Sequence, residues 1–232
     1  RSMAIGVGIA TVIKASGGKA GVRQSNGRIE IHGTGHVAVV TDVSPHGQGT
    51  ETSFAQIAAD MLGIDINDIE VRHGDTDMLE NGGGTTASRG LAVGGNAIYT
   101  ALQQAQDTLK ATAAEMLSCA TEDIWFANAH AYSKRDFHAA LDFPDLVRTI
   151  IRRTGAPGPL TIEVNYTLPA NPFAFAAHAV VVHLDRGTGE VTIDKFVAVH
   201  DCGPMINPMI VRGQIQGGIT QGIGQAMSEG II

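Results

Sequence analysis

The chain has 232 residues, of which 44% are hydrophobic and 17% charged, enough for one large core or two subdomains. A formal net charge of −7 with no lysine/arginine run excludes a general nucleic-acid surface. The two cysteines, Cys119 and Cys202, are too few for a four-thiolate iron–sulfur cluster and too far apart in sequence for a CxxC zinc site, and they fit a reduced, cytoplasmic setting. No signal peptide and no apolar run of bilayer-spanning length is present, so membrane insertion is not expected.

The first third reads as strands: apolar, β-branched Ala4 to Ile13, alternating Gly27 to His32, a Gly33-Thr34-Gly35 turn, then Val37 to Val40. A glycine-rich loop over residues 42–50 follows. Phe54, Ile57, Ala58, Met61 and Leu62 then recur at helical spacing, and Gly63 ends that helix. Asp68 to His73 predicts a short strand, and a long loop runs from Gly74 to Gly90. A helix from about Gly95 to Leu117 carries Ile98, Leu102, Ala105, Leu109, Ala113 and Met116 on one face. After it come a hairpin around Trp125–Tyr132, a helix with Pro144 in its first turn, and a linker candidate, Gly155-Ala156-Pro157-Gly158-Pro159. Strands over Leu160–Tyr166, Ala176–Leu184 and Val191–His200 precede a final helix rich in glycine and glutamine. The order of strand pair, Asp-led loop, Gly-Gln and helix occurs around Asp42–Leu62 and again around Asp201–Met227. This implies two related αβ subdomains.

Two clusters stand out, Gly47-Gln48-Gly49-Thr50 and Gly213-Gln214. Glycine lets a polar ligand approach the backbone, a helix start offers unpaired N–H groups to anions, and a glutamine amide donates and accepts without charge. The alternative is a polar turn ahead of a helix. Gly217, Gly218, Gly222 and Gly224 each cost roughly 0.5–1 kcal/mol relative to alanine in a helix, which close packing on backbone or on a ligand would offset. Thr85, Thr86, Ser88 and Arg89 follow a triple glycine and make a receptacle for phosphate oxygens, although the loop is no Walker motif. A surface loop is the other reading. The histidines form no metal-ligand pattern, and Asp75, Asp77 and Glu80 read as a solvated acidic loop.

The run Gly47 to Ala58, then Gly74-Asp75-Thr76-Asp77, Gly84 to Arg89, Asp201-Cys202-Gly203 with Ile206-Asn207-Pro208, Gly213-Gln214 and Gln221 to Gly224 together resemble the molybdenum-binding large subunit of the xanthine dehydrogenase, aldehyde oxidase and aerobic carbon monoxide dehydrogenase family. The likeness covers nearly the whole chain. It implies an α+β fold of two similar, intertwined αβ subdomains with helices layered on mixed sheets, divided as residues 1–158 and 159–232 of the second molybdopterin-binding domain. It also implies molybdopterin, or molybdopterin cytosine dinucleotide, carrying molybdenum through the pterin rather than through side chains.

By the same resemblance Gln48 and Gln214 would hydrogen-bond the cofactor, with Gly47, Gly49 and Thr50 approaching the pterin. Thr85, Thr86, Ala87, Ser88 and Arg89 would line it, and Asp201 and Asn207 would flank its tail. The family reaction is oxidative hydroxylation of an aldehyde, an N-heterocycle or carbon monoxide, with water as oxygen source. Iron–sulfur clusters and FAD are expected on partner subunits, beside a first molybdopterin-binding domain. The family's general-base glutamate lies past the last helix, beyond Ile232, so the chain is expected to be a fragment or split subunit, inactive alone. A self-contained, non-catalytic cofactor-binding or assembly module and a nucleotide-phosphate-binding protein are the alternatives.

Overall fold

The computed structural model describes residues 2–18, 23–79 and 82–230; the side chain of Phe137 and residue Glu80 lie outside that description. The fold is α+β, and the chain separates into two units that interleave along the sequence. One comprises residues 1–16 and 170–205, the other 17–169 and 206–232.

The larger unit is built on a four-stranded sheet with spatial order β4-β3-β2-β8. Its members are β2 (Gln24–Ile31), β3 (Val37–Thr41), β4 (Ile69–His73) and β8 (Leu160–Thr167). β3 is a Val-Ala-Val-Val-Thr run buried at every position, as a central strand requires. β2 pairs antiparallel with both β3 and β8, whereas β3 and β4 run parallel and are joined by α1 (Thr50–Leu62). Because a parallel pair needs a crossover, α1 lies on the sheet and buries Phe54, Ala58 and Leu62.

The long helix α2 (Asn96–Met116) crosses the same face and buries Ile98, Leu102, Ala105 and Leu109. Gly27 of β2 makes that approach possible, since a Cβ there would sit 3.0 Å from the α2 backbone at Ala97. A small antiparallel sheet, β5 (Ile124–Ala127), β6 (His130–Ser133) and β7 (Asp136–Asp142), leads into α3 (Phe143–Thr154). The Asp142 side chain caps α3 by accepting from Asp145 N at 3.0 Å, with Pro144 in the first turn. Phe143, Leu146, Val147 and Ile150 of α3 complete the core. Gly155 to Pro159 is a connection inside this unit, because β8 beyond it pairs along its length with β2.

The second unit is an antiparallel sheet of order β1-β9-β10, made of β1 (Met3–Ala15), β9 (Phe173–Asp185) and β10 (Val191–Asp201). β1 and β9 stay in register from Met3↔Asp185 to Ala15↔Phe173. Asp185 Oδ1 accepts from Gly187 N at 2.8 Å and closes the turn to β10. Ile5, Val7 and Ile9 on one face of β1 remain largely exposed. The last helix, α4 (Pro208–Met227), belongs to the larger unit and buries none of its residues in this chain. No helix among the described residues is long and apolar enough to cross a membrane.

Two helix-ending glycines separate backbone strain from packing. Gly63 and Gly155 both adopt left-handed conformations, with φ of 65° and 67°. A Cβ on Gly63 would lie 2.4 Å from the Phe126 carbonyl carbon, whereas nothing lies within 4 Å of one on Gly155. Gly155→Ala should therefore cost about 1–2 kcal/mol, the left-handed penalty alone. Gly63→Ala should cost clearly more, as read by urea unfolding of the two variants side by side.

Candidate functional site

The parallel pair fixes where the glycine-rich loops begin. Thr41 and His73, the last residues of β3 and β4, are register partners, so the loops over 42–49 and 74–88 leave the sheet side by side. Loops at the carboxyl ends of parallel strands are the usual ligand-binding position of such sheets. His73 Nε2 lies 3.2 Å from Glu51 Oε1, joining the end of β4 to the first turn of α1.

The first loop turns through Gly47 (φ +94°) and Gly49 (φ +79°), which leads directly into α1. A Cβ on Gly47 would meet nothing within 4 Å, so its backbone faces open space. Between them, Gln48 is half-buried and its Oε1 accepts from His46 N at 2.7 Å. That bond orients the amide, and its NH₂ finds no acceptor among the described residues. Thr50 is buried at the start of the helix.

The second loop is tied to the first. Thr85 Oγ1 donates to Ser44 O at 2.8 Å, and His46 Nε2 lies 3.3 Å from Thr85 O. Ala87 and Ser88 both have positive φ, 49° and 56°, a conformation rare for residues with a Cβ. Thr86, Ala87 and Ser88 are exposed, and among the described residues no acceptor meets the backbone N–H groups of residues 85–88. Unpaired main-chain N–H groups of this kind suit an anionic ligand.

Arg89 departs from its expected role as a cofactor contact. It is 0% exposed, and its guanidinium points inward, donating from Nη1 to Gly84 O at 2.8 Å and from Nη2 to Gln24 O. Asp42, itself buried, lies 3.8 Å from Nη2. The charge of Arg89 thus holds the loop from beneath and is not presented to a phosphate. A π-helical turn (Gly90–Gly95) carries the chain from Arg89 into α2.

The start of α4 meets the first loop. Ile210 lies against Gly49, where a Cβ would sit 2.7 Å from Ile210 Cδ1. Asn207 caps α4 by accepting from Ile210 N at 3.0 Å, and its Nδ2 donates to Gln56 Oε1 of α1 at 2.8 Å. Gln214 is exposed and follows Ile210 by four residues, hence on the same stripe of the helix. The structure therefore brings the Gln48 loop, the Thr85–Ser88 loop and the beginning of the Gln214 helix into one connected region. A Cβ added to Gly213, Gly217, Gly218 or Gly222 would meet nothing within 4 Å, so the close packing expected of these helix glycines is not made among the described residues. Asp201 ends β10 in the other unit, where its Oδ1 accepts from Gly203 N at 3.0 Å.

The family described as molybdopterin cofactor-binding domain matches residues 1–232. The chain belongs to that family. The large subunit of nicotine 6-hydroxylase from Paenarthrobacter nicotinovorans is 32% identical over 97% of this chain and 29% of its own length. The carbon monoxide dehydrogenase large chain of Hydrogenophaga pseudoflava is 36% identical over 87% of this chain and 25% of its own. Among solved structures, the Cu,Mo-CO dehydrogenase superposes with a TM-score of 0.89 at 28% identity, covering 99% of this chain and 30% of that one. Quinoline 2-oxidoreductase from Pseudomonas putida 86 gives 0.87 at 32% identity, over 99% and 31%. The chain thus spans about a quarter to a third of these relatives' length. It is a member of the molybdenum-binding large-subunit family of xanthine dehydrogenase and carbon monoxide dehydrogenase, with the α+β fold expected of it.

The sequence shows Asp42 only as the head of its loop and Gly83 only as part of a triple glycine, yet both prove central to the second loop. Asp42 had a readable signal, since it closes an otherwise apolar strand directly before the glycine-rich loop. His178 and His200, facing each other across β9 and β10 with Nε2 atoms 2.8 Å apart, were also not paired from sequence. Among the described residues no group of three or more histidine, cysteine or acidic side chains is placed to hold a metal ion.

The Asn207 bridge is open to test. Asn207→Ala removes the α4 cap and the bond to Gln56, and should cost about 1 kcal/mol while loosening the start of α4. Amide hydrogen exchange over residues 208–214 should accelerate, with α2 unaffected.

Proposed function

We propose that this family member holds molybdopterin, in its cytosine dinucleotide form, across the region where the three motifs meet. The observation that carries the reading is the tie between them: Thr85 to Ser44, and Ile210 and Asn207 to the Gly49–Gln56 segment. The residues present suit such a group. Open backbone at Gly47 and Gly84, unpaired N–H groups at 85–88 and neutral amides at Gln48 and Gln214 form an uncharged donor set for an anionic, heteroatom-rich ligand.

In this reading Gln48, already oriented by His46 N, directs its NH₂ to the cofactor, and Gln214 does so from α4. Gly47, Gly49 and Thr50 set the approach of backbone to the pterin. Thr85, Thr86, Ala87 and Ser88 receive phosphate oxygens through main-chain N–H and hydroxyl groups. Asn207 flanks the tail. When bound, the molybdenum cofactor supplies oxidative hydroxylation of an aldehyde, an N-heterocycle or carbon monoxide with water. The chain's own residues contribute binding and orientation.

The partners we propose are the first molybdopterin-binding domain, an iron–sulfur subunit and a flavin subunit carrying FAD. The bare faces of α4 support a covering partner, since this chain buries none of that helix. Turnover then belongs to the assembly.

In the assembled enzyme, Gln214→Ala should lower molybdenum content or turnover while iron and flavin occupancy stay unchanged, as measured by elemental analysis and absorbance. Full activity with full molybdenum in that variant would remove Gln214 from the site. Calorimetric titration with cytidine and adenine nucleotides tests the dinucleotide form, and preferential binding of ATP would count against the pterin.

A further inference from the structure

The guanidinium of Arg89 and the carboxylate of Asp42 are both withdrawn from water, at 0% and 6% exposure, in a region whose neighbouring loop residues are exposed. Burying opposite charges is costly unless their remaining donors and acceptors are used. Here they are. Asp42 accepts from Ser25 Oγ and, at 3.2 Å, from Asn26 N, while its own backbone oxygen accepts from Gly84 N at 3.1 Å. Arg89 donates to the carbonyls of Gly84 and Gln24, so a single planar group links β2, the end of β3 and the loop.

Gly84 is gripped at both ends, its N–H by the Asp42 carbonyl and its C=O by Arg89. That residue has φ of 58°, and the left-handed pair Ala87–Ser88 follows within four residues. The middle glycine of Gly82-Gly83-Gly84 has a specific reason to lack a side chain. A Cβ on Gly83 would lie 2.3 Å from Arg89 Nη1, whereas one on Gly82 would meet nothing within 4 Å.

We propose that Asp42 and Arg89, with Gly83 as the opening that admits the guanidinium, form a buried clasp that positions the Thr85–Ser88 backbone for the molybdopterin cofactor. Arg89 is a positioning residue that acts through the loop. The proposal rests on the cofactor reading given above for this loop, but the conformation of the loop can be measured apart from it. It also assigns the triple glycine two separate duties: Gly84 supplies the left-handed turn, and Gly83 supplies room for the side chain beneath.

The test compares Gly83→Ala, Gly82→Ala and the double variant Asp42→Leu/Arg89→Met in the full-length protein. The double variant removes both charges together, so neither is left buried without its partner. Gly83→Ala and the double variant should each speed amide exchange over residues 82–90 by roughly tenfold and lower molybdenum per chain by at least about half. Exchange in α2 should not change, and Gly82→Ala should match the parent in both readouts.

Unchanged exchange over 82–90 in Gly83→Ala would overturn the clasp, and that variant stands in should the double variant fail to fold. Faster exchange with full molybdenum would overturn the link from clasp to cofactor. If Gln48→Ala and Gln214→Ala also keep full molybdenum, the cofactor reading itself fails, and the exchange rates still report on the clasp.

Discussion

The site depends on a constraint set at the end of β3, where an apolar strand closes on a carboxylate. Asp42 is the first residue past a run buried at every position, so it has nowhere to put its charge except against a buried partner. Arg89 supplies that partner from the far side of the 74–88 loop. An ion pair of this kind is weak evidence of net stability, because desolvation offsets most of the attraction. Its value lies in geometry. A guanidinium with two carbonyls and a carboxylate around it allows few arrangements of the loop that carries it, and the exposed Thr86–Ser88 segment inherits that order.

Glycine serves the same region in three distinct ways. At Gly47 and Gly49 it permits left-handed turns beside a half-buried amide. At Gly27 and Gly94 it permits contact: the α2 backbone comes down on β2, and the π-helical turn closes on Val43, whose Cγ2 would be 2.2 Å from a Cβ on Gly94. At Gly83 it makes room for one side chain. A π-helical turn at this junction is consistent with such crowding, since these irregularities concentrate at functional sites. Together these glycines let two loops, a strand end and a helix start share a volume that bulkier residues would fill.

Much of this was legible in the chain of residues. The helical periodicity of Phe54 to Leu62 and Ile98 to Ala113 is strong because those faces meet a sheet, and α1 and α2 appear where that spacing places them. The strands β8 to β10 likewise follow their β-branched runs. β7, Asp-Phe-His-Ala-Ala-Leu-Asp, has too few β-formers to be read, and forms because β6 offers it an edge. Interleaving of the two units was implied by the resemblance and not by any local pattern: β1 and β9 are about 160 residues apart, and pairing at that distance leaves no local trace. Gln48 and Gln214 stood out because the Gly-Gln pattern occurs twice in matching contexts. The inward orientation of Arg89 was not legible because composition reports a charge without reporting which way it points.

α4 carries the argument one step further. It contains five glycines in 20 residues, and no residue of it is buried in this chain. Isolated helices of that length are marginal even with good helix formers, and each glycine weakens this one by roughly 0.5–1 kcal/mol against alanine. Within the chain its anchors are at its beginning: the Asn207 cap, the Asn207–Gln56 bond and Ile210 on Gly49. A ligand held jointly by Gln48 and Gln214 would add a further anchor one turn along, and by linkage its binding would stabilise the helix by the same free energy that the ordered helix lends to binding. A covering partner would act on the same helix. Cofactor loading and assembly would then be thermodynamically coupled through α4, with neither needing to touch the other.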